Sequence, residues 1–132
     1  MNTGRLSQAD ELTDSDRRIL AKAIFRLFDL WQLSEADQLI LLGLPAEHLQ
    51  ALRSMRHSGM LSTAEHMAER TRALLRIYRY LGMLYPEHPD LAKKWMISSH
   101  ARLNAATPMD AIKNRGTAGI NAVSVLLEEL LF

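Results

Sequence analysis

The sequence predicts an all-α protein. Three observations carry that expectation. Apolar residues recur at helical spacing nearly everywhere. Strand-like alternation is scarce, with few β-branched residues. Capping residues, prolines and glycines punctuate the chain at intervals that suit short helices.

The first helix is expected from about Asp14 to Trp31. Ile19, Ala23 and Leu27, with Leu20, Ile24, Phe28 and Trp31, form its apolar stripe, while Lys22, Arg26 and Asp29 fall mostly elsewhere. Leu33-Ser34 breaks the pattern. Ser34-Glu35-Ala36-Asp37 resembles a capping box with Asp in place of Glu, and opens a short helix carrying Ala36, Leu39, Ile40 and Leu42. Gly43 suits its stop, because glycine accepts a left-handed backbone. Pro45 suits the first turn of a third helix, reaching about Met55 with Leu49 and Leu52 inward. Two short helices around a glycine turn make a helix-turn-helix pattern.

His57-Ser58-Gly59 is the next break. Ser62-Thr63-Ala64-Glu65 reads as a full capping box that starts the longest helix, to about Leu84, with Met67, Thr71, Leu74, Leu75, Tyr78 and Leu81 inward. Pro86 and Pro89 end it and begin a short helix through Leu91, Ala92, Trp95 and Met96. Thr107-Pro108-Met109-Asp110 starts another, which Asn114-Arg115-Gly116 stops. A last helix carries Ile120, Val123, Leu126, Leu127 and Leu130 to the carboxyl end. The chain divides into a polar, flexible start (1–13), a helix-turn-helix region with the long connecting helix (14–84) and a smaller helical region (85–132). With no flexible linker between the last two, they are expected to pack together.

At 132 residues the chain is long enough to bury a core unaided, and it has no cysteine for disulfides or thiolate chemistry. Net charge is +1, so any nucleic-acid surface must arise from local clustering. No apolar run reaches the roughly 18–20 residues of a membrane span, and no signal-peptide core opens the chain, so a cytoplasmic location is expected.

Residues with catalytic chemistry are few. His48, His57, His66, His88 and His100 have no partners at zinc-ligand spacing, and no phosphate loop or nucleophile elbow occurs. Ser98-Ser99-His100 is a weak nucleophile–base suggestion, since loop neighbours rarely face each other. The expectation is a non-enzyme with no cofactor and no metal.

Two binding surfaces stand out. In a helix-turn-helix the second helix meets base edges with its N-terminal residues. Here that helix offers Ala46, Glu47, His48, Gln50, Arg53 and Arg56. Gln50 can pair with adenine, and Arg53 with guanine or phosphate. Arg70, Arg72, Arg76 and Arg79 extend a basic excess over Glu65 and Glu69. Against this, arginines commonly decorate solvated helix faces, and Glu47 would repel phosphate. The second surface is the carboxyl end, where Ile120, Val123, Leu126, Leu127, Leu130, Leu131 and Phe132 exceed what one face of a helix needs. Core packing and a protein interface both fit that excess.

The run Phe25 to Ala36, followed by Leu41-Leu42-Gly43-Leu44, resembles the helix-turn-helix of Xre/MbcA/ParS-type antitoxins, and Ala68 to Pro86 is similar to the helix that follows in that family. Trp95-Met96, Leu103, Thr107-Pro108 and Ile112, with Gly119, Val123 and Leu126, resemble its toxin-binding domain. Asn104-Ala105 stand where the family commonly carries glycines, and Ser99-His100 where it usually carries Pro-Asn. The resemblance implies an antitoxin that docks on a RES-domain toxin, an enzyme that consumes NAD or transfers ADP-ribose from it, and covers its NAD pocket. It implies Trp95, Leu103, Leu127, Leu130, Leu131 and Phe132 as toxin-binding residues. It also implies a homodimer that binds operator DNA and represses its own operon. The alternative is a helix-turn-helix regulator with no toxin partner.

Overall fold

Thr13 starts the first helix by satisfying free backbone donors. Its hydroxyl accepts from the Asp16 N–H at 3.0 Å, and the Asp16 carboxylate accepts from the Thr13 N–H at 3.2 Å. The computed structural model describes residues 12–64 and 66–132; the polar start expected over 1–13 lies largely outside them. Among the described residues every regular element is helical. In chain order they are α1 (Asp14–Leu30), α2 (Glu35–Leu42), a 3-10 turn (Ala46–His48), α3 (Leu49–Ser58), α4 (Met67–Leu84), α5 (Pro89–Met96), a second 3-10 turn (Ala101–Leu103), α6 (Pro108–Arg115) and α7 (Thr117–Leu131).

Several expected faces turn out to be rotated. In α1 the buried stripe is Ala21, Ile24, Phe25, Leu27 and Phe28, and Ile19 is 63% exposed. A contact stripe drifts around a straight helix, so the first turn of α1 leaves the core before the pattern ends. In α2, Leu39, Leu41 and Leu42 are buried while Ala36 and Ile40 face outward. Gln38 is buried instead, its side-chain amide donating to the Leu33 carbonyl at 2.9 Å. In α4 the fully buried position that the expected stripe omitted is Ile77, with Leu75 and Tyr78 only partly covered.

Two starts also differ from expectation. Pro45 precedes a 3-10 turn, and the α-helical part begins at Leu49 because His48 leaves helical geometry at φ −90°, ψ 22°. The long helix begins at Met67, not at the Ser62 box. The Ser62 hydroxyl accepts from the Ala64 N–H at 3.0 Å, a local turn that competes with a helix start. His66 is then left-handed (φ 66°), and Glu65 lies outside the described residues.

One continuous apolar cluster joins both ends of the chain, from Ala21 through Leu52, Leu74 and Leu81 to Trp95, Ile112 and Leu127. α4 lies at its centre, packed against α1 on one side and α7 on the other. Polar ties cross the same seams. Tyr80 donates its hydroxyl to Glu128 at 2.8 Å, and Lys113 pairs with Asp37 at 3.1 Å. Arg17 donates to the Leu61 carbonyl at 2.8 Å while the Leu61 N–H donates back to the Arg17 carbonyl at 3.2 Å. This holds the segment after α3 against α1.

Arg70 is the main cross-tie. Its Nε donates to the Leu41 carbonyl at 2.8 Å and its Nη2 to the Ile40 carbonyl at 3.4 Å, which caps the end of α2. Its Nη1 donates to the Thr117 hydroxyl at 3.1 Å, at the start of α7. The guanidinium also lies against Gly43, which is left-handed (φ 72°) and whose missing Cβ would sit 3.4 Å from Arg70 Cζ. Burial lowers the Arg70 pKa from its usual value, yet a guanidinium stays charged. Arg70→Met is expected to cost about 2 kcal/mol, because three charge-assisted hydrogen bonds are lost and the Leu41 carbonyl goes unpaired, while Ile40 keeps its bond from the Gly43 N–H. Arg70→Lys should recover only part of that, lacking the fork. Thermal melts of both variants check it; equal melting points for Met and wild type would contradict the role.

Candidate functional site

The first candidate surface is α3 with the turn before it. Gly43 ends α2, Pro45 fixes an extended backbone (ψ 155°), and the 3-10 turn then projects Ala46, Glu47 and His48 into solvent. Gln50, Arg53, Ser54 and His57 follow on the outer face of α3 because Leu52 and Met55 face the core. The tip itself is not basic: Glu47 and His48 are its ionisable groups.

The two arginines assigned to this surface are already engaged. Arg53 forms a two-pronged pair with Glu35 of α2, Nε to Oε2 at 3.0 Å and Nη2 to Oε1 at 2.9 Å. That bond holds the Glu35 carboxyl below its usual range and raises Arg53. The pair is intact above the ordinary carboxylate range and is lost as pH falls through the lowered Glu35 value. At neutral pH Glu35 therefore occupies the Nε–Nη2 fork of Arg53 and offsets its charge, leaving only the remaining Nη hydrogens to a phosphate or base. Arg56 pairs with Asp29 at 3.1 Å and lies 4.6 Å above the Phe25 ring, so it braces α3 against α1.

The wider run of arginines does not form one patch. Arg70 is the cross-tie described above. Arg72, Arg76 and Arg79 are exposed along α4, and Arg76 lines a cleft with Leu42, Gly43 and Leu44 beside the α2–α3 turn.

The second candidate surface is the carboxyl end. Thr107 caps α6 by accepting from the Asp110 N–H at 3.0 Å, with Pro108 in the first turn. Gly116 then turns the chain into α7, which runs back along α4. Trp95, Leu103 and Leu127 are buried, so they build the core under this surface and leave little side chain for a partner to touch. What does project is the tip. Leu130 is 53% exposed and Phe132 81% exposed, with Leu131 half-buried between them. Phe132 is not free-swinging: its ring meets the edge of Tyr80 at 6.1 Å, and its N–H donates to the Glu128 carbonyl at 2.8 Å. The Tyr80–Glu128 bond keeps the tyrosine hydroxyl protonated above its usual pKa, so this anchor persists throughout the neutral range.

The loop from Ile97 to Thr107 supports the base of this end. His100 stacks on Trp95 at 4.5 Å, its Nε2 lies 3.2 Å from the Trp95 carbonyl, and its backbone bonds Ala105 and Ala106. The Ser98 hydroxyl donates to the Lys94 carbonyl at 2.7 Å. Ser98 and His100 thus each have another partner, and the loop pairing that suggested a nucleophile and base is used for structure. Asn104 and Ala105 both carry positive φ, 57° and 67°. Alanine is strained there, because its Cβ crowds the backbone. Ala105→Gly is therefore expected to raise stability by about 0.5–1 kcal/mol, after offsetting glycine's greater freedom in the unfolded chain. A higher denaturant midpoint at unchanged slope checks it; a lower one would contradict it.

Among the described residues no cluster of His, Asp and Glu could hold a metal, and no helix is long and apolar enough to cross a membrane. No protein-family model matches the chain, and no curated protein matches it in sequence.

Sequence reasoning missed the engagement of Arg53 and Arg56 and the role of Arg70. Their partners lie 18, 27 and 29 residues away, and no local spacing signals such pairs.

Proposed function

We propose that this chain is the antitoxin of a type II toxin–antitoxin pair, which binds a RES-domain toxin and neutralises it by covering its NAD site. The observation that carries this reading is the apolar tip of α7. Leu130 and Phe132 project together from the end of α7, and contiguous water-exposed apolar groups mark interaction sites. A second observation supports it. Asn104 and Ala105 occupy left-handed backbone where the resembled family commonly has glycines, as expected if this loop keeps the family's turn with other residues. The inhibitor acts by occupation, and contributes no reactive group. Trp95, Leu103 and Leu127 act beneath the surface by fixing α7, while Leu130, Leu131 and Phe132 make the contact.

A second activity fits the amino-terminal part. α2 and α3 follow one another across the turn at Gly43 and a 3-10 turn, an order that supports a helix-turn-helix reading, with Gln50 exposed on the second helix. In this reading a cytoplasmic homodimer sets two such helices about 34–36 Å apart on operator DNA and represses the operon. The runner-up is the same regulator with no toxin partner, and it leaves the exposed tip without a role.

Co-expression with RES-domain toxins tests the reading, beginning with any encoded by an adjacent reading frame. The expected result is a stable complex that co-purifies and rescues growth. Failure to bind any RES-domain protein would refute it.

A further inference from the structure

A basic groove of about 710 Å³ runs between α1 and the end of α3, on a different surface from the α2–α3 tip. Arg18, Lys22, Arg26 and Arg56 line it against one carboxylate, Asp29. Arg56 already neutralises Asp29. Arg18, Lys22 and Arg26 have no carboxylate partner among the described residues, and all three are exposed. A chain of net charge +1 thus concentrates three uncompensated cations on one helix.

Their spacing is regular. Residues four apart rise about 6 Å along a helix, so the three charges form a row about 12 Å long. One DNA strand presents a phosphate about every 3.4 Å of axis, so such a row faces three or four phosphates. The groove's floor is apolar, with Ala21, Phe25 and Leu30 in its lining, but it is open and shallow. Phe25 is buried and its ring is covered by the Arg56 guanidinium at 4.6 Å, so the floor offers no enclosed socket for an anchoring side chain. A flexible row of long cationic side chains without a socket suits a polyanion read by charge.

We propose that this groove, not the α2–α3 tip, is the principal phosphate-backbone contact for duplex DNA, with Arg18, Lys22 and Arg26 supplying the charge. The inference rests on the DNA-binding reading and moves its electrostatic centre to α1. It also accounts for a tip that carries Glu47 and has Arg53 paired with Glu35: the tip has little charge to give, and the groove provides it.

Phosphate contacts are independent of sequence, so a random-sequence DNA duplex is a sufficient probe. Binding is measured across a salt series for wild type, for the triple variant Arg18→Gln/Lys22→Gln/Arg26→Gln, and for Gln50→Ala. The three positions are exposed, and a thermal melt confirms that the triple variant folds. The slope of log affinity against log salt should fall by about 2–3 in the triple variant, with affinity down more than about ten-fold at low salt. Gln50→Ala should leave the slope unchanged. Equal slopes for wild type and triple variant, or a wild type that binds no duplex, would overturn the proposal. If the triple variant keeps its DNA slope while Arg53→Gln loses it, DNA binding stands and the groove's role fails. If the triple variant instead loses RES-protein binding, the groove seats a protein and the proposal is likewise overturned. Retained RES binding in every variant separates this inference from the antitoxin reading.

Discussion

Gly119→Ala is expected to lower stability by about 3 kcal/mol and the melting temperature by roughly 10 °C. α6 and α7 meet backbone to backbone at this residue. A Cβ built on Gly119 would stand 2.0 Å from the Ala111 carbonyl oxygen, 2.5 Å from its carbon and 2.9 Å from the Ile112 nitrogen. None of these atoms belongs to a flexible side chain that could move aside. Ala111 and Ile112 are themselves buried, so the helices can separate only by opening the core beneath them. Alanine's better helix propensity returns at most about 1 kcal/mol, too little to reverse the sign. Separation would also carry away Leu130 and Phe132, so binding through the tip should weaken in parallel. A melt within a degree of wild type would contradict the α6–α7 contact.

Removal of Leu130, Leu131 and Phe132 is expected to have the opposite profile: little change in fold and a large loss of partner binding. The deletion costs the Tyr80–Phe132 edge contact and the backbone hydrogen bonds of the last turn of α7, together about 1–2 kcal/mol. If Leu130 and Phe132 are buried against the toxin, each is worth about 2 kcal/mol, and losing both weakens the complex about a thousand-fold. Phe132→Ser alone should weaken it about thirty-fold. Leu127→Ala is the useful contrast. It opens a core cavity, costs about 2–5 kcal/mol of stability, and acts on binding only through the fold. Calorimetric affinities set beside melting curves separate the two profiles. An unchanged affinity for the tailless protein would remove the tip from the interface.

The helical class and the order of elements were legible because caps and apolar spacing are local signals. Ser34, Thr107 and Gly43 mark boundaries through bonds made within four residues, and all three do so in the structure. The errors have the same origin. Ser62 offered a cap, but its hydroxyl found a nearer donor and a left-handed His66 delayed the helix. Ile19 and Ile40 satisfied helical spacing, yet which part of an apolar stripe is buried depends on how far the neighbouring helix extends. At the candidate sites, residue type pointed to surfaces but could not tell a free arginine from a paired one. Arg53, Arg56 and Arg70 read as one basic run, and the fold assigns each to a different bond. The row Arg18, Lys22 and Arg26 on α1 gives no distinct sequence signal, because exposed cations are ordinary on the solvated face of a helix.

The central claim is inhibition by occupation, and NAD turnover by a RES-domain toxin that the chain binds measures it directly. As this chain is titrated in, turnover should fall to zero at a fixed stoichiometry and return as NAD is raised, while the tailless form leaves it untouched. Full turnover in the presence of a saturating, bound chain would contradict the account.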